Sequence, residues 1–146
     1  MKIYLDTCCL QRPFDNKTQV KIRLEAEAVL GILNFYEKGI VQIVSSEVLF
    51  YELSRIPNII RRVNSLKLLE KIPEFISLNR NVEKRARFLH KSNIQALDAL
   101  HLASADIGRA DYFCTCDESL MKKARRMNFM KMKILTPIEL IGVIEL

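Results

Sequence analysis

Four acidic residues stand where a chain of alternating strands and helices is expected to do chemistry. Asp6 directly follows an apolar, β-branched run, and Asp117 lies two residues beyond another strand-like run. Glu52 lies in the helix after a predicted strand, and Asp98 interrupts the apolar segment Ala96–Ala103. Ligand sites in parallel α/β sheets lie beyond the carboxyl ends of the strands. Acids gathered there repel one another unless cations lie between them, and hard carboxylate oxygens suit Mg²⁺ or Mn²⁺.

Each acid also has an ordinary explanation when it is taken alone. Asp6 or Asp117 can cap a turn or a helix, and Glu52 can be a solvated helix residue. Asp98 can pair with Arg87 or Arg109. The combination is therefore more specific than any one of its members, and residue types and spacing alone leave the metal site a hypothesis.

The elements that must position these acids alternate between short apolar strands and helices. The predicted strands are Ile3–Leu5, Ile40–Val44, Phe75–Leu78, Tyr112–Thr115 and Lys133–Leu135. The predicted helices run over Thr18–Gly39, Ser46–Arg55, Asn58–Lys71, Asn81–Lys91, Leu97–Gly108 and Glu118–Met127, with a terminal helix from the capping box at Thr136. In the Asn58–Lys71 helix, we expect an inward face of Ile59, Ile60, Val63, Leu66 and Leu69. The segment Arg12–Asn16 is predicted to be a loop. This alternation predicts an α/β fold with a parallel sheet covered on both faces.

Length and composition favour one ordinary globular domain. The 146 residues fit a single domain over 1–146, and 49% hydrophobic with 27% charged residues is typical of globular chains. Apolar runs are too short for a membrane span, and the N-terminus does not resemble a signal peptide. We therefore expect a cytoplasmic protein without membrane contact. The net charge of +6 raises the prior for a polyanionic partner, although a solvated basic surface explains it equally well.

The four cysteines form an adjacent pair, Cys8 and Cys9, and a C-x-C, Cys114 and Cys116. Neither spacing is that of a common zinc site or of a small secreted disulfide framework. Because their neighbours are strand-like, we expect buried thiols, with a metal or redox role as the alternative.

Four motifs of the chain together resemble the PIN domain family. The run Ile3-Tyr4-Leu5-Asp6-Thr7 is similar to the opening strand of that family, and Ser46 with Glu52-Leu53 is similar to its second motif. The segment Asp98–Ala105 resembles the third motif, and Asp111–Asp117, which ends in Thr-x-Asp, resembles the fourth. The four motifs occur in order over nearly the whole chain.

The resemblance implies a fold, an activity and a set of site residues. The fold would be a three-layer α/β/α sandwich around a mostly parallel sheet. The activity would be that of an endoribonuclease that uses Mg²⁺ or Mn²⁺ to activate water against an RNA phosphodiester. Small members of the family are commonly toxins of toxin–antitoxin pairs and often form homodimers, so the resemblance implies an antitoxin partner and makes Ile138–Leu146 a candidate dimer segment. Carried over motif by motif, the ligands would be Asp6, Glu52, Asp98 and Asp117, with Thr7 and Thr115 as polar neighbours.

The remaining charge of the chain is consistent with an RNA substrate. Without the four acids, 13 acidic residues remain against 23 basic ones, which leaves about +10 around an acidic centre. Arg12, Lys17 and Lys21 follow the first motif and are predicted to contact RNA. Further candidates are Arg55, Arg61 and Arg62, which a solvated helix face also explains. His101 lies three residues after Asp98, and we expect it to make a structural hydrogen bond.

Three other functions stay open at the level of sequence. The chain can be a non-catalytic RNA-binding module of the same fold, or a phospho-acceptor receiver domain, which normally has paired acids after its first strand. It can also be a thiol enzyme that uses Cys8 or Cys116, although neither has a local base. The residues Cys8-Cys9 and Arg12–Asp15 depart from the commonest toxin pattern, which leaves the substrate and the toxin role open.

Overall fold

The computed structural model of the protein describes residues 1–127 and 130–146, and within them the strands and helices alternate along the chain. The strands are β1 (Lys2–Leu5), β2 (Gln42–Ser46), β3 (Glu74–Ile76), β4 (Tyr112–Cys114) and β5 (Lys133–Leu135). The helices are α1 (Thr7–Gln11), α2 (Val20–Glu37), α3 (Glu47–Ser54), α4 (Ile59–Glu70), α5 (Arg80–Lys91), α6 (Ala96–Ile107), α7 (Glu118–Arg125) and α8 (Pro137–Glu145). A short 3₁₀ helix, Arg12–Phe14, follows α1.

All five strands form one parallel sheet in the order β3-β2-β1-β4-β5. The chain proceeds outward from β1 through β2 to β3, and it then returns to the other side of β1 to form β4 and β5. The order therefore reverses between β1 and β4, and Leu5 pairs with Cys114 at this boundary. In open α/β sheets such a reversal leaves a crevice beyond the carboxyl ends of the two strands.

The core of the protein lies around the two central strands. Ile3, Tyr4 and Leu5 of β1 are at most 1% exposed, and Phe113 of β4 is fully buried. The Tyr4 and Phe113 rings stack with centroids 5.4 Å apart. Helices flank the sheet; α6 packs against β2 and β3, and α8 packs against α2 and β5. Within the described ranges, no helix combines the length and the hydrophobicity that a membrane span requires.

The structure confirms the predicted α/β fold with a parallel sheet flanked by helices and corrects several boundaries. The helix stop predicted at Gly39 is present, because Gly39 adopts a φ of 74° and its amide caps the end of α2. Ile40 belongs to this cap, since its amide donates to Phe35 O, so β2 begins at Gln42 and extends to Ser46. Ser46 caps α3 through a hydrogen bond that its Oγ accepts from the Leu49 amide (3.1 Å).

Two predictions about local structure are wrong. The segment Arg12–Asn16, predicted to be a loop, begins with the 3₁₀ helix Arg12–Phe14, because Pro13 fits the first turn of that helix. Helix α1, which Asp6 caps, was not predicted at all. On α4, the expected inward residues Ile59, Ile60 and Val63 are 65%, 69% and 41% exposed. The reason is that α4 packs mainly against α3 and α1, so its buried residues are Ser65 and Leu69, of which Leu69 was predicted.

Candidate active site

The crevice between β1 and β4 brings the first and fourth motifs together. Asp6 follows β1 and its amide donates to Cys114 O (2.9 Å) at the end of β4. Thr115 Oγ1 donates to Asp6 Oδ2 (2.9 Å) and accepts from the Asp117 amide (3.1 Å). Asp117 in turn caps α7 by accepting from the Leu120 amide (3.1 Å). One buried threonine thus ties the side chain of Asp6 to the backbone of Asp117.

The Asp6 carboxylate is buried at this crevice and is costly to ionise. Only 6% of the surface of Asp6 is exposed. Burial, reinforced by the nearby Cys8 thiol, raises the pKa of Asp6 to about 7. Nearby His101 and hydrogen bonds from Thr115 and the Thr7 amide oppose the shift but do not cancel it. A buried carboxyl of this kind is stabilised in its charged form by an additional cation.

Glu52 reaches the same crevice from α3. Thr7 Oγ1 donates to Glu52 Oε1 (2.9 Å), and His101 Nε2 hydrogen-bonds the same oxygen. The hydrogen bond from His101 lowers the pKa of Glu52, so this carboxylate stays ionised more readily than its neighbour Asp6.

A buried polar chain behind the site holds His101 in place. Tyr4 Oη lies 2.7 Å from His101 Nδ1 and 2.6 Å from Ser46 Oγ, and all three residues are at most 1% exposed. Burial lowers the pKa of His101, but the hydrogen bond to Glu52 and the charge of Asp6 outweigh it and raise the pKa above its ordinary value. The predicted structural hydrogen bond of His101 is present. Sequence reasoning missed Tyr4, for which the only signal is a hydroxyl on an otherwise apolar strand.

Asp98 and Asp117 complete the acidic face of the crevice. Asp98, on the first turn of α6, is half-buried, and its pKa is raised to about 6 by burial and by the charges of Asp6, Asp117 and Glu52. Asp98 and Asp117 both line a cavity of about 120 Å³, which Lys123 also borders. Within the part of the chain that the structure describes, Asp98 forms no ion pair, so the alternative partners Arg87 and Arg109 do not neutralise it. We call Asp6, Glu52, Asp98 and Asp117 the acid cluster.

The donor set of the acid cluster fits a hard divalent cation. Ligand atoms of Asp6, Glu52 and His101 lie within 4.8 Å of one another, whereas Asp98 and Asp117 lie outside this close group. Both nitrogens of His101 are engaged by Tyr4 and Glu52, so the atoms free to bind an ion are carboxylate oxygens. Oxygen ligands are those that Mg²⁺ and Mn²⁺ prefer. The raised pKa values of Asp6 and Asp98 also favour a cation site, because a nearby positive charge stabilises the ionised form of both carboxylates.

The basic residues predicted to contact RNA have protein partners. Arg12 forms ion pairs with Asp15 (3.0 Å) and with buried Glu25 (3.3 Å). Lys21 pairs with Glu118, which lies on the first turn of α7 next to Asp117. Lys17 donates to Pro13 O and Asp15 O, and Arg61 pairs with Asp15 (3.0 Å). Arg62 donates to Ile56 O (2.8 Å), and the Arg55 guanidinium lies over the ring of Tyr51.

The cysteines are free thiols, three of them buried. Cys9 and Cys114 are fully buried, Cys116 is 8% exposed and Cys8 is half-buried. The expectation of buried thiols is confirmed for three of the four. His90 and His101 hydrogen-bond to Ile94 O and to Glu52, so in the described residues neither histidine serves as a base for a cysteine.

Comparisons with known proteins agree with this architecture. The chain resembles a chain from the crystal structure of VapBC2 from Rickettsia felis bound to a DNA fragment from their promoter, with 16% identity, a TM-score of 0.61, and 93% of this chain and 98% of that chain covered. It also resembles a chain from VapBC-5 of Mycobacterium tuberculosis, a member of the VapBC family of toxin-antitoxin systems, with 15% identity, a TM-score of 0.53, and 92% and 98% covered. No curated protein sequence matches. The family model of the PIN domain matches residues 3–126. That match spans most of the sequence, and the chain therefore belongs to the PIN domain family.

Proposed function

We propose that this protein is an endoribonuclease that depends on Mg²⁺ or Mn²⁺ and hydrolyses RNA phosphodiester bonds. One observation carries the proposal: Asp6 and Glu52 converge at the crevice between β1 and β4, with Asp98 and Asp117 beside them. The pKa values of Asp6 and Asp98 are raised, so these two resist ionisation. A structural role does not explain carboxylates that repel one another around the buried Asp6, whereas a cation site does.

The chain's own residues would hold and orient the reacting groups. Asp6, Glu52, Asp98 and Asp117 would bind the cation, which when bound polarises the phosphate and lowers the pKa of water. Thr115 fixes Asp6 and the turn that carries Asp117, while Thr7 and His101 fix Glu52. Rigid carboxylates keep a cation at one position relative to the scissile bond, which is the main protein contribution to such reactions.

The net positive charge of the chain supports a polyanionic substrate. The chain carries a net charge of +6 even with the acid cluster counted as ionised. We propose that Arg12, Lys17 and Lys21 contact the phosphate backbone. Arg12 and Lys17 lie between α1 and α2, and Lys21, in the first turn of α2, pairs with Glu118 next to Asp117. Contacts of this type position a strand without reading its sequence.

We further propose that the protein is the toxin of a toxin–antitoxin pair. The supporting observation is the similarity in fold to chains from two VapBC structures, over more than nine-tenths of each chain. An antitoxin would then be the partner protein, and a cytoplasmic location would follow.

A homodimer through Ile138–Leu146 stays a prediction. Helices α8 and α2 border an apolar groove of about 460 Å³, and its lining includes Leu24 and Ile138. The mass in size-exclusion chromatography tests it.

The decisive experiment measures cleavage of single-stranded RNA by the purified chain with Mg²⁺, with Mn²⁺ and with EDTA. We expect cleavage only with the cations, and we expect Asp98→Asn to abolish it. The matched control is Asp111→Asn, which changes an exposed acid at the opposite end of β4, where it accepts from the Lys2 amide (2.8 Å). This control should cleave as the wild type does.

RNA binding separates the proposal from its nearest alternative. A non-catalytic RNA-binding module would bind RNA and leave it intact under every condition. If the wild type binds RNA without cleaving it at high enzyme concentration, or if Asp98→Asn cleaves as well as the wild type, the nuclease assignment is wrong.

A further inference from the structure

Three cysteine sulfurs meet beside Asp6, whose Oδ2 lies 3.5 Å from Cys8 Sγ. Cys8 and Cys9 lie in the first turn of α1, and Cys116 follows β4, more than a hundred residues later. Their Sγ atoms all lie within 4.8 Å of one another, and those of Cys9 and Cys116 are 3.7 Å apart. We call Cys8, Cys9 and Cys116 the thiol triad. The fold builds it with the same pairing of β1 and β4 that builds the acid cluster.

The spacing of the thiol triad is that of a metal–thiolate site. A tetrahedral zinc ion with Zn–S bonds of about 2.3 Å holds its sulfur ligands about 3.8 Å apart. The Cys9–Cys116 distance of 3.7 Å already matches this spacing, and the upper limit of 4.8 Å for the other pairs leaves a small contraction. Packing alone explains a buried cysteine, but it does not require three sulfurs from two distant segments to converge.

The surroundings of the triad provide both access and charge compensation. Cys8 is half-buried, which gives an ion a route to the otherwise buried sulfurs. The Arg12 guanidinium lies beside Cys116, and its other partners are Asp15 and Glu25. Three thiolates around a divalent ion carry one net negative charge, and the Arg12 guanidinium beside Cys116 lowers the electrostatic cost of that charge.

We propose that the thiol triad is a second metal site, for a thiophilic cation such as Zn²⁺, next to the acid cluster but different in chemistry. On binding, the three thiols release three protons and form three metal–sulfur bonds, with no change in oxidation state. Sulfur ligands select soft and borderline cations, whereas the carboxylate oxygens of the acid cluster select hard ones. The site needs no nuclease activity and is independent of the proposed function.

The two sites share one contact. Cys8 Sγ lies 3.5 Å from Asp6 Oδ2 and 3.5 Å from Thr115 Oγ1, and it accepts from the Cys116 amide (3.3 Å). A cation on the triad would therefore change the surroundings of Asp6 directly.

Cadmium binding to the reduced full-length chain tests the proposal. Cd²⁺ is titrated in the presence of excess Mg²⁺, and thiolate coordination is followed by the ultraviolet charge-transfer band that carboxylates do not give. We expect one equivalent of Cd²⁺ to saturate the band, and Zn²⁺ to displace it. Cys8→Ser and Cys116→Ser should each lose about one third of the band, since one of three thiolates is removed.

Two matched controls make the result specific. Cys114→Ser removes a buried thiol that lies 3.8 Å from Cys9 but outside the triad, and it should keep the full band. Asp98→Asn should also keep it, so a failure of the nuclease proposal leaves this test unaffected. The half-buried position of Cys8 makes Cys8→Ser the variant least able to disturb folding, which circular dichroism checks. Absence of the band in the wild type, or equal losses in Cys8→Ser and Cys114→Ser, would overturn the proposal.

Discussion

Replacing Asp6 by asparagine should stabilise the cation-free protein, and the gain should grow with pH. The introduced side-chain amide is neutral at every pH, so the variant avoids the cost of ionising a buried carboxyl. Its oxygen can accept from the Thr7 amide and its nitrogen can donate to Thr115 Oγ1, which replaces the hydrogen bonds that the carboxylate makes with these two residues. The substitution therefore removes a charge while leaving the local packing in place.

The pKa of Asp6 sets the size of the effect. Folding raises this pKa from an ordinary 3.8 to about 7. A raised carboxyl pKa means that the folded state holds its proton more tightly than the unfolded state, so wild-type stability falls as pH rises between these values. At about 1.4 kcal/mol per pKa unit, the variant should gain about 4 kcal/mol over the wild type at pH 8, and only about 1–2 kcal/mol at pH 5.

Urea unfolding in EDTA and a thiol reductant measures this difference. The chain has no tryptophan, so far-ultraviolet circular dichroism is the suitable signal. Asp111→Asn serves as the control for removing an exposed acid, and it should not give a gain in stability like that of Asp6→Asn at pH 8. The reasoning is refuted if Asp6→Asn is no more stable than the wild type at pH 8, or if the difference is the same at pH 5 and pH 8.

Three further predictions follow from the same contacts. Tyr4→Phe should lower the free energy of unfolding by about 1–3 kcal/mol, because it leaves His101 Nδ1 without its buried partner, and an unchanged urea midpoint would contradict this. Thr115→Val should raise the Mg²⁺ concentration for half-maximal RNA cleavage by about ten-fold or more, because the hydrogen bond from Thr115 to Asp6 is lost. Thr115→Ser keeps the hydroxyl and should cleave at the Mg²⁺ concentration that the wild type needs. Equal behaviour of the two variants would exclude a positioning role for Thr115. Saturating Mg²⁺ should raise the melting temperature more at pH 8 than at pH 5. The pKa values of Asp6 and Asp98 are about 7 and about 6, so at pH 5 protons compete with the cation for these carboxylates. A larger rise at pH 5 would contradict the account.

The general architecture could be predicted from the sequence because the strands are short and apolar and are separated by clear helix signals. The acids at strand ends were predictable for the same reason: the carboxyl ends of parallel strands share one edge of the sheet. Helix α1 could not be predicted by periodicity, since its five residues complete little more than one turn. The amphipathic pattern of α4 was visible, but a pattern does not say whether its apolar stripe meets the sheet, and Ile59 and Ile60 are exposed.

The polar contacts within the site were harder to predict than its acids. Tyr4 and His101 are 97 residues apart, and no local signal links a hydroxyl on β1 to an imidazole on α6. The same holds for the sulfurs of Cys9 and Cys116, which are separated by 107 residues and meet only because β1 pairs with β4. Long-range contacts of this kind follow from strand order, which the sequence pattern does not specify.

Anomalous diffraction from a crystal soaked in Mn²⁺ tests the central claim, that the acid cluster is a site for a hard divalent cation. We predict a manganese peak bounded by the carboxylates of Asp6, Asp98 and Asp117, at the crevice between β1 and β4, and its loss in Asp98→Asn. A crystal with no peak at these carboxylates, or with an unchanged peak in the variant, would contradict the account.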